Sequence, residues 1–357
     1  MRATFPALTA IRGLAAWWVV VYHFREVLDF SGLPLLRTLA AHGYLAVDLF
    51  FIMSGFVIAL NYADSLQRPS FRTVLRFLGF RLARIYPLHL VVLAAFLVNP
   101  LAIWMLSRSG ALGSRYDPGY FLQSLLLIQN WGFGPDIAWN IPAWSISTEW
   151  GAYLAFPLVA YGLSRIRSPA QALSALLGAL ILVTAAGYAT GGLGEDIAYA
   201  GLLRCLLEFS LGAALFRLHA LGAHRLPPGD AMFAAGLALL AAGPVAGWPD
   251  YAYGPSAFLL AVLGLLDGRS LSARALAGKT LLYVGEISYS TYLVHYLVKD
   301  WSKFLLVNNG SDGRVVFVSY VLATAAASVV LYHLVELPGR RFGRERVQVW
   351  LTRRQAV

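Results

Sequence analysis

The sequence predicts an all-α integral membrane protein, a bundle of about ten transmembrane helices with a re-entrant or interfacial segment near 119–131. Three observations predict it. Hydrophobic residues make up 59% of the 357-residue chain and charged residues only 13%, about half the share usual in soluble domains. Mean hydropathy is +0.64, and apolar runs of bilayer-spanning length recur from one end to the other. The basic residues fall in alternate connections between those runs. In chain order, LTAIRGLAAWWVVVYHF opens the first span, 8–28. It lacks a small-residue cleavage site and reads as a spanning helix, not a removable signal. Spans 43–62, 85–106, 144–163, 170–190, 198–218, 230–247, 254–267, 280–306 and 314–335 follow, the eighth of them short. Between the third and fourth lies GYFLQSLLLIQNW, 119–131. It is apolar, yet too short and too rich in Gln and Asn to cross.

The charges fix an orientation. Segments 1–8, 63–84, 164–169, 217–229, 268–279 and 338–357 hold nineteen Lys and Arg. The opposite loops hold Arg37, Arg108 and Arg115, with Arg314 at a span edge. That asymmetry predicts both termini in the cytoplasm. It also accounts for the net charge of +10 through topology and contact with anionic lipid, so nucleic acid is not needed as a partner. Residues 1–337 form the membrane domain, and 338–357, with RRFGRERVQVWLTRR, a basic cytoplasmic tail. The single cysteine, Cys205, excludes an internal disulfide and a multi-cysteine metal site.

Against this background, polar residues inside the spans carry the chemistry, because ionisable groups are costly there and are usually kept for function. Arg12 and His23 share the first span. Eleven residues turn a helix through about three turns and 20°, so both lie on one face, roughly 16 Å apart along the axis. His23, Asp48 and Glu149 each lie about five residues inside the outer end of their spans, hence in one layer roughly 7–8 Å deep. A carboxylate beside an imidazole fixes its tautomer and orients it as a general base. The alternative is polar contact between helices or a structural ion pair.

FRTVLRFLGFRLARIYPL carries Arg72, Arg76, Arg81 and Arg84 near helical spacing. This is a basic amphipathic helix at the cytoplasmic surface. It serves either lipid contact or a phosphate-rich ligand matched by guanidinium forks, and Arg12 opens onto the same side. Ser288, Tyr292 and His295 share one face of the ninth span, as a structural cluster or a substrate lining. Ser145 and Ser147 offer hydroxyls to an acceptor or an oxyanion, or make neutral helix contacts. Glu208 is a weaker candidate, and His89 and His333 read as structural. No metal-ligand spacing, P-loop or dinucleotide fingerprint is present.

Taken together, FPALTAIRGLAAWWVVVYHF, HGYLAVDLFFIMSGFVIAL, FRLARIYPLHL, IPAWSISTEWGAYLAFP and ISYSTYLVHYLV resemble the acyltransferase-3 family of bacterial integral membrane O-acyltransferases. The likeness covers roughly residues 4–337. Arg12 and His23 match the family's Arg, ten residues, His pattern. Asp48, Phe50, Phe51, Ser54, Gly55 and Phe56 match its G-V-D-x-F-F-x-x-S-G-F block, with Ala46 where the family usually has Gly. Arg81 with Arg84 match its R-x-x-R, and Trp144, Ser145, Ser147 and Glu149 its W-S-[LI]-S-x-E.

The resemblance implies movement of an acyl group, most often acetyl, from cytoplasmic acyl-CoA to a sugar hydroxyl outside. It implies catalysis at His23 and acyl-CoA contacts at Arg81 with Arg84; on the residues themselves, Asp48 or Glu149 would orient His23, and Arg12 would guide or neutralise the thioester arm. Ser147, Tyr292 and His295 become acceptor-side candidates. The expected ligands are acetyl-CoA as a substrate, with no permanently bound cofactor and no metal, and a glycan or lipid-linked sugar acceptor. Membrane lipids and glycan-assembly proteins are the expected partners, and the bacterial inner membrane the expected location. His23 acting as general base, or accepting the acyl group covalently, both remain open. Two other classes compete: a proton-coupled transporter or flippase, which uses similar buried charges, and a non-catalytic scaffold for a glycan synthase.

Overall fold

A computed structural model describes residues 5–28, 30–106, 113–222, 228–307 and 310–353. Arg2, Arg108, Arg225 and Arg354, which contribute to the charge pattern, lie outside the described residues. The described chain is helical and contains no strand. In order the helices are α1 Pro6–Phe24, α2 Pro34–Ala41, α3 Ala46–Tyr62, α4 Phe71–Ala95, α5 Val98–Leu106, α6 Pro118–Leu125, α7 Trp144–Arg165 and α8 Pro169–Thr190. Then come α9 Ile197–Ala220, α10 Gly229–Val245, α11 Asp250–Leu266, α12 Leu271–Leu276, α13 Lys279–Glu286, α14 Ser288–Ser302, α15 Gly313–Leu331 and α16 Leu337–Arg353. Each of the ten apolar runs is helical. Among the described residues, six helical stretches are long and apolar enough to cross a membrane, and α10 and α11 are shorter apolar helices.

The starts of these helices follow from local chemistry. Ser70 caps α4 by accepting the Thr73 N–H, and Asp117 caps α6 by accepting that of Tyr120. Ser168 and Gln171 form a reciprocal capping box at α8, which satisfies donors that a helix start leaves open. Three findings go beyond the sequence pattern. The basic stretch from residue 71 and the apolar stretch after it are one helix, α4, running unbroken through Pro87. The ninth span is divided at Ile287 into α13 and α14. The basic segment after residue 337 is helical and lies along α4.

The chain falls into two compact units. The first comprises residues 1–68, 156–196 and 203–288, and so contains α1 to α3, α8 and α10 to α13. The second comprises 69–155, 197–202 and 289–357, and so contains α4 to α6, α15, α16 and nearly all of α14. Helices α7 and α9 contribute to both.

Within the first unit, glycine permits the closest approaches. A Cβ on Gly55 of α3 would lie 1.9 Å from the Phe209 carbonyl oxygen of α9, and one on Gly212 of α9 would lie 1.8 Å from that of Ile52. Small residues let backbones meet in this way where lipid offers no hydrophobic drive for association. In the second unit, α6 is fastened to α4. The Tyr86 hydroxyl donates to the Leu125 carbonyl at 3.0 Å, and His89 Nε2 to that of Ser124 at 2.9 Å. Eight residues span only about 12 Å, so α6 is a short helical turn, as the segment near 119–131 predicts.

Candidate active site

In the first unit, α1 carries both residues that open the sequence argument. His23 stands in the last turn of α1, half-buried. Its ring meets that of Tyr22 edge-on at 4.9 Å. Arg12 lies three turns earlier. Its Nε donates to Ser288 Oγ at 3.0 Å and its Nη2 to the Gly285 carbonyl at 2.9 Å. A cation there satisfies a carbonyl at the end of α13, where the helix dipole favours positive charge. Arg12 therefore secures the α13–α14 joint.

Asp48 lies in the first turn of α3 and is fully buried. Both its oxygens are taken by Arg204 of α9, Oδ1 from Nε at 2.9 Å and Oδ2 from Nη2 at 2.5 Å. This is the fork-on-fork geometry that a guanidinium and a carboxylate favour. The remaining terminal nitrogen of Arg204 donates to the Leu193 carbonyl. Glu208, one turn further along α9, approaches Arg204 Nε at 3.6 Å and is also fully buried. Asp48 is thus held in an ion cluster of its own.

That cluster connects back to the catalytic candidate. The Leu193 N–H donates to Asp250, 3.0 Å from each oxygen, and Asp250 Oδ2 accepts the Tyr44 hydroxyl at 2.8 Å. The Tyr44 ring sits 5.7 Å from that of Tyr22, which touches His23. His23 and Asp48 therefore belong to one network, relayed by Tyr22, Tyr44, Asp250 and Arg204. Spacing along the chain marks neither Tyr44 nor Asp250, and does not pair Arg204 with Asp48. The signal for Arg204 was present: an Arg four residues before a Glu, RCLLE, inside an apolar run.

In the first unit, just past the end of α1, lies a cavity of about 1000 Å³ whose walls begin at Arg25, two residues after His23. Arg25, Glu26, Arg37, Thr38, His42 and Pro244 are among its walls. Two of them rest on the relay. The Arg25 guanidinium stands 4.2 Å from the centre of the Tyr22 ring, and the His42 ring 6.0 Å from that of Tyr44. The volume is that of a small-molecule site, and the lining mixes charged and hydrogen-bonding groups with apolar ones.

The second unit holds the other candidates. Glu149 of α7 is half-buried, and its Oε1 accepts the Tyr153 hydroxyl at 2.6 Å. Arg84 of α4 pairs with the buried Glu336 and lies over the Tyr289 ring, 5.4 Å from its centre. Glu336 also accepts Ser290 Oγ at 2.7 Å. Arg81 is half-buried three residues before Arg84.

The hydroxyls have structural partners. Ser147 Oγ donates to the Leu127 carbonyl at 3.0 Å and accepts the Asn130 N–H at 3.2 Å. Leu127 itself has a φ of 57°, a left-handed conformation that a leucine adopts only when its surroundings hold it. Tyr292 bonds Ser145 Oγ at 2.8 Å and the Pro142 carbonyl at 3.0 Å. His295 is fully buried, with Nδ1 at 3.2 Å from the Thr291 carbonyl. These three side chains stabilise the turn after α6 and the contact of α14 with α7. Their units separate the sequence candidates: His23, Asp48 and Arg12 in the first, Glu149, Arg81, Arg84, Ser147, Tyr292 and His295 in the second.

A helical membrane protein with a histidine, a buried carboxylate and a small-molecule-sized cavity in one unit fits group transfer at a membrane. The family model described as an acyltransferase domain matches residues 5–333. The chain belongs to this acyltransferase-3 family of membrane proteins. It is 30% identical to the acyltransferase MdmB of Streptomyces mycarofaciens, with 96% of this chain and 93% of that protein covered. It is 24% identical to the O-acetyltransferase OatA of Staphylococcus aureus, over 95% of this chain and 57% of OatA. The chain thus spans little more than half the length of that second relative. No solved structure matches.

Proposed function

We propose that this membrane acyltransferase moves an acyl group, acetyl in the first instance, from cytoplasmic acyl-CoA to a hydroxyl of an extracytoplasmic glycan or glycolipid. It does so as a multi-pass protein of the bacterial inner membrane with both termini in the cytoplasm. The observation that carries this proposal is the position of His23 at one end of α1, two residues before Arg25, where the walls of a cavity of about 1000 Å³ in the same unit begin. The family match and the relative named as an O-acetyltransferase support the reaction class.

The acceptor enters the cavity, where Arg25, Glu26 and Thr38 hydrogen-bond its hydroxyls. His23 takes the proton of the reacting hydroxyl. The new oxygen–carbonyl bond forms as the carbon–sulfur bond of the thioester breaks, and the proton passes on to the departing thiolate. Asp48, through Arg204 and the tyrosine relay, holds the geometry round His23. Arg81 and Arg84, in the second unit, are assigned to the acyl-CoA donor.

Purified protein given acetyl-CoA and a cell-surface glycan extract provides the test. His23→Ala removes transfer, lowering the rate by at least the ~10²-fold that a general base contributes, while its melting temperature stays that of the wild type. Transfer at the wild-type rate by the folded variant would remove His23 from the chemistry.

A further inference from the structure

In the second unit, α16 lies antiparallel along α4. A Cβ on Gly339 would lie 2.6 Å from the Pro87 Cβ, and one on Gly343 would lie 2.6 Å from the Ala83 Cβ. Further along, the Val347 side chain covers Gly79, and Arg72 Nη2 donates to the Leu351 carbonyl at 2.7 Å. The G-x-x-x-G spacing of LPGRRFGRER thus brings two backbones together. It sets Arg344, beside the second glycine, over one place on α4.

That place is Phe80, a buried ring. The Arg76 guanidinium of α4 stands 5.4 Å from its centre and the Arg344 guanidinium of α16 stands 5.0 Å from it. Arg340, one turn before Arg344, lies within electrostatic reach of the cations Arg84 and Arg344 and of the Tyr332 and Glu336 side chains. Among the described residues no carboxylate forms an ion pair with Arg76, Arg340 or Arg344. Arg84, by contrast, is paired with the buried Glu336. Like charges gathered round one ring repel. A guanidinium stacked on an aromatic ring keeps its edge free for a phosphate.

We infer that α16 and the first half of α4 form a phosphate-binding platform, with Arg76, Arg340 and Arg344 holding the diphosphate and 3′-phosphate of coenzyme A. This rests on the acyl-CoA donor proposed above and extends that site to a helix beyond the R-x-x-R motif. Three guanidiniums suit a ligand with three phosphates, whereas a phosphatidylglycerol headgroup brings one.

The test uses the full-length protein in phosphatidylcholine nanodiscs, with binding of CoA and of 3′-dephospho-CoA measured for wild type and for Arg76→Gln, Arg344→Gln and the double variant. Glutamine keeps the side-chain stem, and melting temperature reports that each variant is folded. Wild type binds CoA more tightly than 3′-dephospho-CoA. Each single variant raises the Kd for CoA about tenfold, as loss of a charge-assisted contact does, and the double variant loses the preference. Folded variants that bind CoA as wild type does would overturn the platform and leave the donor proposal standing. Wild type that binds no CoA would overturn both. Variants altered only in discs containing phosphatidylglycerol would assign the arginines to lipid and overturn the platform.

Discussion

At the level of single residues, the Asp48–Arg204 pair is the most consequential interaction in the first unit. Both side chains are more than nine-tenths buried, and their two hydrogen bonds match fork to fork. Removing one partner strands the other charge away from water. Arg204→Ala is therefore expected to destabilise the protein by ~3–5 kcal/mol, measured as a lowered melting temperature in detergent. Replacing Asp48, Arg204 and Glu208 together with uncharged residues of similar size should recover most of that stability, since no charge of the cluster is then left alone. A folded Arg204→Ala variant with an unchanged melting temperature would contradict the pairing. Asp48 was legible in the sequence because a carboxylate inside VDLFFIMSGF stands out against its apolar neighbours. Its partner was not, because the two residues are 156 positions apart and belong to different helices. The same applies to Arg84 and Glu336, separated by 252 positions. Spacing along one helix reveals which residues share a face, and says nothing of what that face meets.

At the level of elements, glycine decides which helices can touch. Gly343 lies so close to α4 that an added Cβ would meet both the Cβ and the Cα of Ala83, at 2.6 and 3.2 Å. Backbone atoms cannot swing aside as a side-chain tip can. Gly343→Leu is expected to cost about 1–3 kcal/mol by overpacking and to detach α16. Limited trypsin digestion would then cut at Arg340 to Arg346 much faster than in the wild type. Equal digestion rates would show that α16 is not held by this contact. Length and apolarity made all ten runs legible as helices, because a bilayer-spanning backbone must satisfy its hydrogen bonds internally. They did not reveal the joint at Ile287. The ninth run reads continuously, and its interruption is stabilised from outside by Arg12 on the Gly285 carbonyl. Nor did they reveal that the basic segment after residue 337 lies along α4, since its low apolarity masks a glycine-lined face.

At the level of the whole molecule, the membrane character and the family follow from composition and from five ordered motifs. The finer arrangement required coordinates. The motif residues His23, Asp48 and Arg12 belong to one compact unit, and Glu149, Arg81 and Arg84 to the other. The cavity just past the end of α1 is lined from residues 25–42 and Pro244, a stretch with no sugar-binding signature. The central claim is that the acyl group crosses from a cytoplasmic donor to an acceptor on the opposite face by way of His23. Sealed inverted membrane vesicles, with radiolabelled acetyl-CoA added outside and the acceptor glycan enclosed, test it most directly. Wild-type vesicles should accumulate label on the enclosed glycan, and vesicles carrying folded His23→Ala should accumulate none. Equal labelling by the two, or labelling only when acetyl-CoA is enclosed with the glycan, would contradict it.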